Sequence, residues 1–297
     1  MRWINVFYLI CIFLCVSFSP EKATAQDKHV LLDQARQLYE EGNYFEAAIT
    51  WERAYFFSSD PRKRIEANLG RAQALKQTGD FRMARNDLQR SVHLRQYPQL
   101  HARVLYELAF CEYMLGNFTA SLGALQQLEH YYPRKSQTSE IMLLYSLAAI
   151  MNENWEVATE KTLARIQNLG LSAAATDSLM NKTLQVFCEC SIPVTLSENR
   201  ARNWSTFVPG AGQLYAGYPG RAMLNAGSQV ASLGLAGYMA YSNLYVSGFV
   251  IGLGLFQSFY FGGIKQAGYL ANQKNNIQMG AYKSDLKTFV IQLEEIQ

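Results

Sequence analysis

Residues 31–54 have the sequence LLDQARQLYEEGNYFEAAITWERA, two amphipathic runs that meet at a Gly-Asn-Tyr tripeptide. The first run ends at Gly42, where glycine closes a helix because it readily takes a positive φ angle. Asn43 then suits the cap of a second helix. The stretch therefore predicts a helix-turn-helix unit, in which Ala47 is a small packing position between the two helices.

The unit recurs three more times along the chain. Its turn tripeptides share a small or polar first residue, then Asn or Asp, then an aromatic, and they begin 37 residues apart at positions 42, 79, 116 and 153. A small residue follows each one at the same interval: Ala47, Ala84, Ser121 and Ala158. Self-similarity at a fixed period is typical of helical solenoids. Only Glu153 departs from the pattern, since it stands where the other units have glycine.

The repeat resembles the tetratricopeptide family. The first unit has the family's small, large, glycine, aromatic and alanine residues at Ala35, Leu38, Gly42, Tyr44, Ala47, Trp51 and Ala54. Its period is about three residues longer than the family's usual 34, which indicates longer turns. The resemblance covers residues 29–170 and implies a curved stack whose concave side binds an extended or helical peptide.

The family's register places the first helix of each pair on the concave side. Eight side chains on those helices are the candidate partner-binding residues: Arg36, Tyr39, Gln73, Lys76, Arg103, Tyr106, Phe110 and Tyr113. The alternative for each of them is ordinary packing or a solvated helix face. The Lys and Asn clamp with which some family members hold a C-terminal carboxylate is missing, so the resemblance names no ligand.

A long uncharged segment follows the repeats. The 43 residues between Arg221 and Lys265 contain no charged side chain, and a membrane helix needs about 20 apolar residues. A hairpin of two membrane helices is therefore predicted at 222–264, with a buried soluble pair as the alternative. Gln229 and Gln257 each lie 14 residues from the turn residue Asn243, so they are predicted to hydrogen-bond at one depth.

The segment PGAGQLYAGY at 209–218 precedes this hairpin. It resembles the Pro-Gly-x-Gly-Gln-x-Tyr-x-Gly opening of small two-helix membrane domains in bacterial envelope proteins, which are often joined to tetratricopeptide repeats. The resemblance implies membrane placement and no particular activity.

The expected fold is all-α: a tetratricopeptide-like solenoid, a transmembrane hairpin and a C-terminal amphipathic helix. Five segments are predicted: a signal peptide at 1–25, repeats at 26–195, a Gly/Pro-containing linker at 196–221, the hairpin at 222–264 and a tail at 265–297. The signal peptide is inferred from Arg2, an apolar stretch and the small-x-small sequence Ala23-Thr24-Ala25. An uncleaved N-terminal anchor is the alternative.

Composition argues against several functional classes. A net charge of +3 gives no case for nucleic acid. The four histidines have no matching nucleophile or metal cluster at a recognisable spacing, so no catalytic residue, metal ligand or cofactor is predicted. Cys188 and Cys190 are expected to be buried or idle thiols, with a redox or metal pair as the alternative.

These patterns favour a membrane-anchored scaffold or adaptor of the bacterial cell envelope, which binds a protein or peptide through its repeats and the bilayer through its hairpin. An accessory subunit of a secretion or transport complex, with the hairpin as its working part, is the alternative. The signal peptide predicts repeats in the periplasm. The basic residues that flank the hairpin instead favour cytoplasmic repeats at the inner membrane; they are Arg200, Arg202, Arg221, Lys265 and Lys274. The sequence leaves the oligomeric state open.

Overall fold

The computed structural model of the chain describes residues 27–93 and 95–293. Within these ranges every regular element is a helix, so the predicted all-α class is confirmed. The signal peptide predicted at 1–25 lies outside the described residues. The chain divides into two compact units, 1–152 and 153–297, here called the N-terminal and C-terminal units. This division falls inside the predicted repeat domain, at its fourth tripeptide.

The N-terminal unit consists of consecutive helices that pack on their neighbours in sequence. Its seven described helices are α1 Asp27–Glu40, α2 Tyr44–Phe57, α3 Pro61–Gln77, α4 Phe81–Gln89, α5 Pro98–Met114, α6 Phe118–Tyr131 and α7 Ser139–Met151. Each helix contacts the next, and α3 and α5 also contact each other and the helices two places away, α1 and α7. The odd-numbered helices therefore form a continuous layer.

Three of the four repeated turns have nearly the same backbone geometry. Gly42, Gly79 and Gly116 have φ angles of 80°, 80° and 78°. At each turn the amide of the following residue donates a hydrogen bond of 2.9 Å to a carbonyl oxygen five residues back, as from Asn43 to Leu38. This pattern is a Schellman motif, which satisfies the last carbonyl groups of the preceding helix.

The fourth turn uses Glu153, which has a φ angle of 60°. A side chain in this left-handed region costs about 1 kcal/mol that glycine does not pay. We expect Glu153→Gly to be more stable than Glu153→Ala by about 1 kcal/mol, since both lose the 2.7 Å ion pair with Lys283 and only the alanine keeps the strain. Urea unfolding of both variants measures the difference, and equal midpoints would contradict it.

The repeated small positions lie in the core. Ala47, Ala84, Ser121 and Ala158 are each fully buried, as the sequence predicts. The hydroxyl of Ser121 donates a 2.8 Å hydrogen bond to the carbonyl oxygen of Ala109, so it carries no unsatisfied polar group into the interior. A larger side chain at these positions would push two helices apart.

His101 is a buried polar residue of the N-terminal unit. Its Nε2 lies 2.7 Å from the Val92 carbonyl oxygen, which only accepts, so Nε2 carries the proton. Nδ1 therefore accepts from the Tyr132 hydroxyl at 2.8 Å. Burial lowers the pKa of His101 below its ordinary value of 6.5, because the charged form loses hydration.

This histidine predicts a pH-dependent stability. With the folded pKa below the unfolded one, the unfolded chain binds more protons below about pH 6.5, so stability is lost as the pH falls. We expect His101→Gln to reduce the loss of stability between about pH 7 and pH 5. The exposed His130 gives the control variant His130→Gln, and urea midpoints at both pH values provide the measurement. An unchanged pH dependence in His101→Gln would refute the assignment.

The C-terminal unit ends in two long antiparallel helices. Its described helices are α8 Trp155–Asn168, α9 Ala173–Val186, α10 Glu198–Phe207, α11 Ala211–Tyr215, α12 Pro219–Tyr241 and α13 Tyr245–Gln292. The turn at residues 242–244 is where the sequence predicts it. Helix α13 is 48 residues long in total and has π-helical geometry over Gly248–Leu253.

Two predicted segments differ in the structure. The tail at 265–297 is not separate, because α13 runs through residue 265 without a break: the onset of charge at Lys265 changes the surface and not the backbone. The linker predicted at 196–221 contains helices α10 and α11, which pack on α13. Gly210 and Gly212 in this segment permit close helix contacts, since a Cβ at either position would overlap backbone atoms of Ala222 or Ala201.

The cysteines also differ from expectation. Cys188 and Cys190 form a disulfide across a short 3-10 turn, where their Cα atoms are 5.2 Å apart. They were expected to be buried or idle thiols, but the turn brings their Cα atoms to a separation within the range that disulfides need. Cys111 is a free, buried thiol, and burial raises its pKa to about 12.

Candidate functional site

A cavity of about 300 Å³ opens in the N-terminal unit on the layer of odd-numbered helices. It is lined by α1, α3 and α5, with Trp51 of α2 also in its wall. Four of the predicted partner-binding residues line it together: Arg36, Tyr39, Gln73 and Arg103. They are far apart in sequence and meet because successive odd-numbered helices pack side by side.

In the apolar wall of this cavity, Trp51 and Leu100 were not predicted as part of a site. Trp51 is 4% exposed and packs against Gly70, which has no side chain to block the indole. Leu69 and Leu100 add apolar surface beside them. The sequence assigned Trp51 to the repeat pattern, and the contact with Gly70 depends on packing between α2 and α3 that the pattern does not specify.

The polar rim of the cavity carries both signs of charge. Arg36 lies 3.1 Å from the Asp33 carboxylate and 4.0 Å from that of Glu66. Arg103 is exposed, and neither it nor Glu40 forms an ion pair within the part of the chain that the structure describes. Their charges are therefore available to a ligand, because no pairing group of the described residues has to be displaced first.

Tyr39 and Gln73 complete the rim. The Tyr39 hydroxyl accepts a 3.3 Å hydrogen bond from Gln77, and its ring packs edge-on against Tyr44 at 5.2 Å. These contacts fix the ring orientation. Gln73 is half-buried and offers both a donor and an acceptor. The arrangement suits a peptide backbone next to an apolar side chain.

The other four predicted groove residues do not line this cavity. Lys76 pairs with the Glu107 carboxylate, which is buried, and its ammonium group lies 4.8 Å from the centre of the Phe110 ring. Tyr113 packs edge-on against Phe118 at 5.6 Å, and burial raises its pKa. Tyr106 is half-buried on α5. For Lys76, Phe110 and Tyr113 the structure provides internal partners, as the packing alternative anticipates.

The predicted pair Gln229 and Gln257 is not brought together. Gln229 is 2% exposed and donates a 3.3 Å hydrogen bond to Asn225 in its own helix, whereas Gln257 is exposed. The prediction that two residues at equal distances in sequence from the turn face each other assumes a regular α-helix on both sides. The π-helical segment Gly248–Leu253 adds residues per turn, which rotates the positions that follow it away from the expected face.

The motif at 209–218 contributes a buried polar contact that sequence reasoning missed. Gln213 is fully buried; its amide donates to the Gly263 carbonyl oxygen at 2.9 Å and accepts from the Ser205 hydroxyl at 3.1 Å. The same hydroxyl accepts from the Gly212 amide at 3.1 Å. Gln213 of the motif therefore holds α10, α11 and α13 together through hydrogen bonds, which is a structural role.

Across residues 27–93 and 95–293, no group of three or more His, Cys, Asp or Glu side chains is arranged to hold a metal ion. Among the same residues, α13 is the one helix long and apolar enough to cross a membrane. The sequence predicted two such helices, but α12 includes Arg221, Asn225 and Gln229, which lower its apolar character.

No protein-family model matches the chain, and a search of curated proteins found no match.

Proposed function

We propose that this protein is a membrane-anchored scaffold or adaptor of the cell envelope, which binds a peptide segment of a partner protein in the cavity around Trp51. The convergence of Arg36, Tyr39, Gln73 and Arg103 on one cavity carries the proposal. The cavity combines an apolar wall with unpaired charge and amide groups, the chemistry that holds an extended backbone and one apolar side chain.

The continuity of the odd-numbered helices supports a repeat scaffold. Contacts between α1 and α3, α3 and α5, and α5 and α7 are those expected when helix pairs stack in one direction. The three matching glycine turns support the same interpretation, since equal turns give equal steps between pairs. A tetratricopeptide-like solenoid is therefore the architecture that we propose for the N-terminal unit.

The surface of α13 supports the anchor. In its most apolar window only 17% of the residues are buried, whereas the core helix of a soluble protein is mostly buried. Exposed apolar side chains continue along both long helices, among them Val230, Val246, Phe249 and Val250. A contiguous apolar surface of this kind suits lipid, so we propose that α12 and the first part of α13 form a membrane hairpin.

Site-directed photo-crosslinking tests partner binding. A photoreactive amino acid at Gln73 should give a defined adduct in cells, and the same group at the exposed Gln126 should not. Arg103→Glu should abolish the Gln73 adduct, because it reverses the unpaired charge at the rim. The control Arg134→Glu makes the same charge change at an exposed position outside the cavity. An adduct that survives Arg103→Glu would refute the proposed site.

An accessory subunit of a secretion or transport complex is the second candidate. It is favoured by Gln229, a buried polar residue in α12 with an unsatisfied side-chain oxygen. A photoreactive group at Gln257 distinguishes the two functions, since adducts there and none at Gln73 would favour the helices as the working part.

An alkaline phosphatase fused after Gln297 tests the compartment, because it is active only when exported.

A further inference from the structure

The C-terminal unit has a strong local excess of positive charge. Residues 199–284 contain no Asp or Glu, although the whole chain has 24 of them. The same segment has six basic residues: Arg200, Arg202, Arg221, Lys265, Lys274 and Lys283. Two of them pair with carboxylates outside the segment, Arg202 with Glu198 and Lys283 with Glu153. The other four leave a local excess of positive charge, which attracts anions.

A cavity of about 610 Å³ lies between α12 and α13 within this segment. Its polar lining comes from one face of each helix, at helical spacings of three, four or eight residues: Arg221, Asn225 and Ser228 on α12, Ser258 and Gln266 on α13. The exposed apolar side chains of Leu224 and Phe259 stand beside them. The cavity thus offers a polar end and an apolar flank.

The polar end has donors without acceptors. Arg221 is exposed and forms no ion pair with any residue in 27–93 or 95–293. The Asn225 Nδ2 atom is buried and has no hydrogen-bond partner. Gly263 opposite makes room for this amide, since a Cβ there would overlap it. The hydroxyls of Ser228 and Ser258 already donate to carbonyl oxygens of their own helices.

We propose that this cavity binds the phosphate group of an anionic phospholipid, whose acyl chains lie along Leu224 and Phe259. Arg221 supplies the charge, and the amides of Asn225 and Gln266 supply hydrogen bonds to the phosphate oxygens. Arg221 is in the first turn of α12, where the helix dipole also favours an anion. The proposal rests on the membrane placement of these helices, because that placement brings phospholipid to the cavity.

Lipid retention by the full chain tests the proposal. The protein is purified in dodecyl maltoside and mixed with phosphatidylglycerol or phosphatidylcholine, and bound lipid is counted by native mass spectrometry. Losing one charged hydrogen-bonding partner weakens binding about tenfold or more. We therefore expect Arg221→Gln to lose the preference for phosphatidylglycerol. Arg200→Gln, the same charge change at an exposed residue outside the cavity, should keep it.

Inorganic phosphate is the second possible source of the same group. If inorganic phosphate without added lipid raises the unfolding temperature of the wild type and not that of Arg221→Gln, the cavity binds the free phosphate ion. Equal retention of both lipids by the wild type together with no response to phosphate would overturn the proposal, as would equal behaviour of the two variants. Membrane placement is checked separately by sedimentation with vesicles without detergent, so its failure is distinguishable.

Discussion

Replacing Gly70 with alanine should destabilise the N-terminal unit by about 1–3 kcal/mol, because the added methyl group has no space. A Cβ at this position would lie 2.6 Å from two atoms of the Trp51 ring. The indole is rigid and 4% exposed, so it can move only by displacing its own neighbours. The same movement would deform the cavity that Trp51 and Gly70 line.

Gly123 provides a matched control for this substitution. It also lies within a helix, α6, but a Cβ there meets nothing within 4 Å. Gly123→Ala should therefore raise stability by roughly 0.5–1 kcal/mol, the usual preference for alanine inside a helix. Urea unfolding of the two variants measures the contrast. A Gly70→Ala protein as stable as the Gly123→Ala protein would show that Trp51 yields at little cost.

The positions of turns and small core residues could be predicted from the sequence because local rules determine them. Gly42, Gly79 and Gly116 end helices through their own backbone freedom, and the predicted turn around Asn243 has a similar origin, with a φ angle of 59°. The buried alanines follow from the period of the repeat. Each of these features depends on a few consecutive residues and on their spacing.

Helix continuity and side-chain pairing could not be predicted in the same way. The charge at Lys265 was taken as a domain boundary, although nothing in helix chemistry ends α13 there. A π-helical segment has no reliable sequence signal, so the register of Gln257 was wrong. Gln213 meets Gly263 only because α11 packs against α13, a contact between residues 50 positions apart.

The sequence predicts which helix face lines the cavity, but not every side chain that lines it. The register of the repeat gives the helix face, and Arg36, Tyr39, Gln73 and Arg103 share that face at the cavity. It does not tell which side chains on the face find internal partners. Lys76 on α3 forms an ion pair with Glu107 on α5, and this contact depends on the distance between the two helices. The repeat pattern therefore identifies a candidate surface, and packing selects the residues that stay free.

The contact between α12 and α13 depends on Gly252. A Cβ at Gly252 would lie 2.6 Å from the Cα atom of Ala236 and 2.9 Å from its backbone nitrogen. Gly248, four residues earlier, approaches the Ala236 carbonyl oxygen in the same way. The two backbones touch along a small-xxx-small face, the arrangement that lets helices associate in lipid without a hydrophobic driving force. Because backbone atoms cannot rotate away, a side chain there must separate the helices.

Gly252→Leu should therefore destabilise the C-terminal unit by about 1–3 kcal/mol, whereas Gly254→Leu should not. Gly254 lies two residues further along the same helix, and a Cβ there points into open space. At about 2–4 °C for each kcal/mol, the unfolding temperature of Gly252→Leu in dodecyl maltoside should fall by roughly 2–12 °C. Both variants add the same apolar side chain, so their difference isolates the close helix contact. If the two unfold at the same temperature, α12 and α13 are not held by backbone-to-backbone packing, and the membrane hairpin that we propose loses its physical basis.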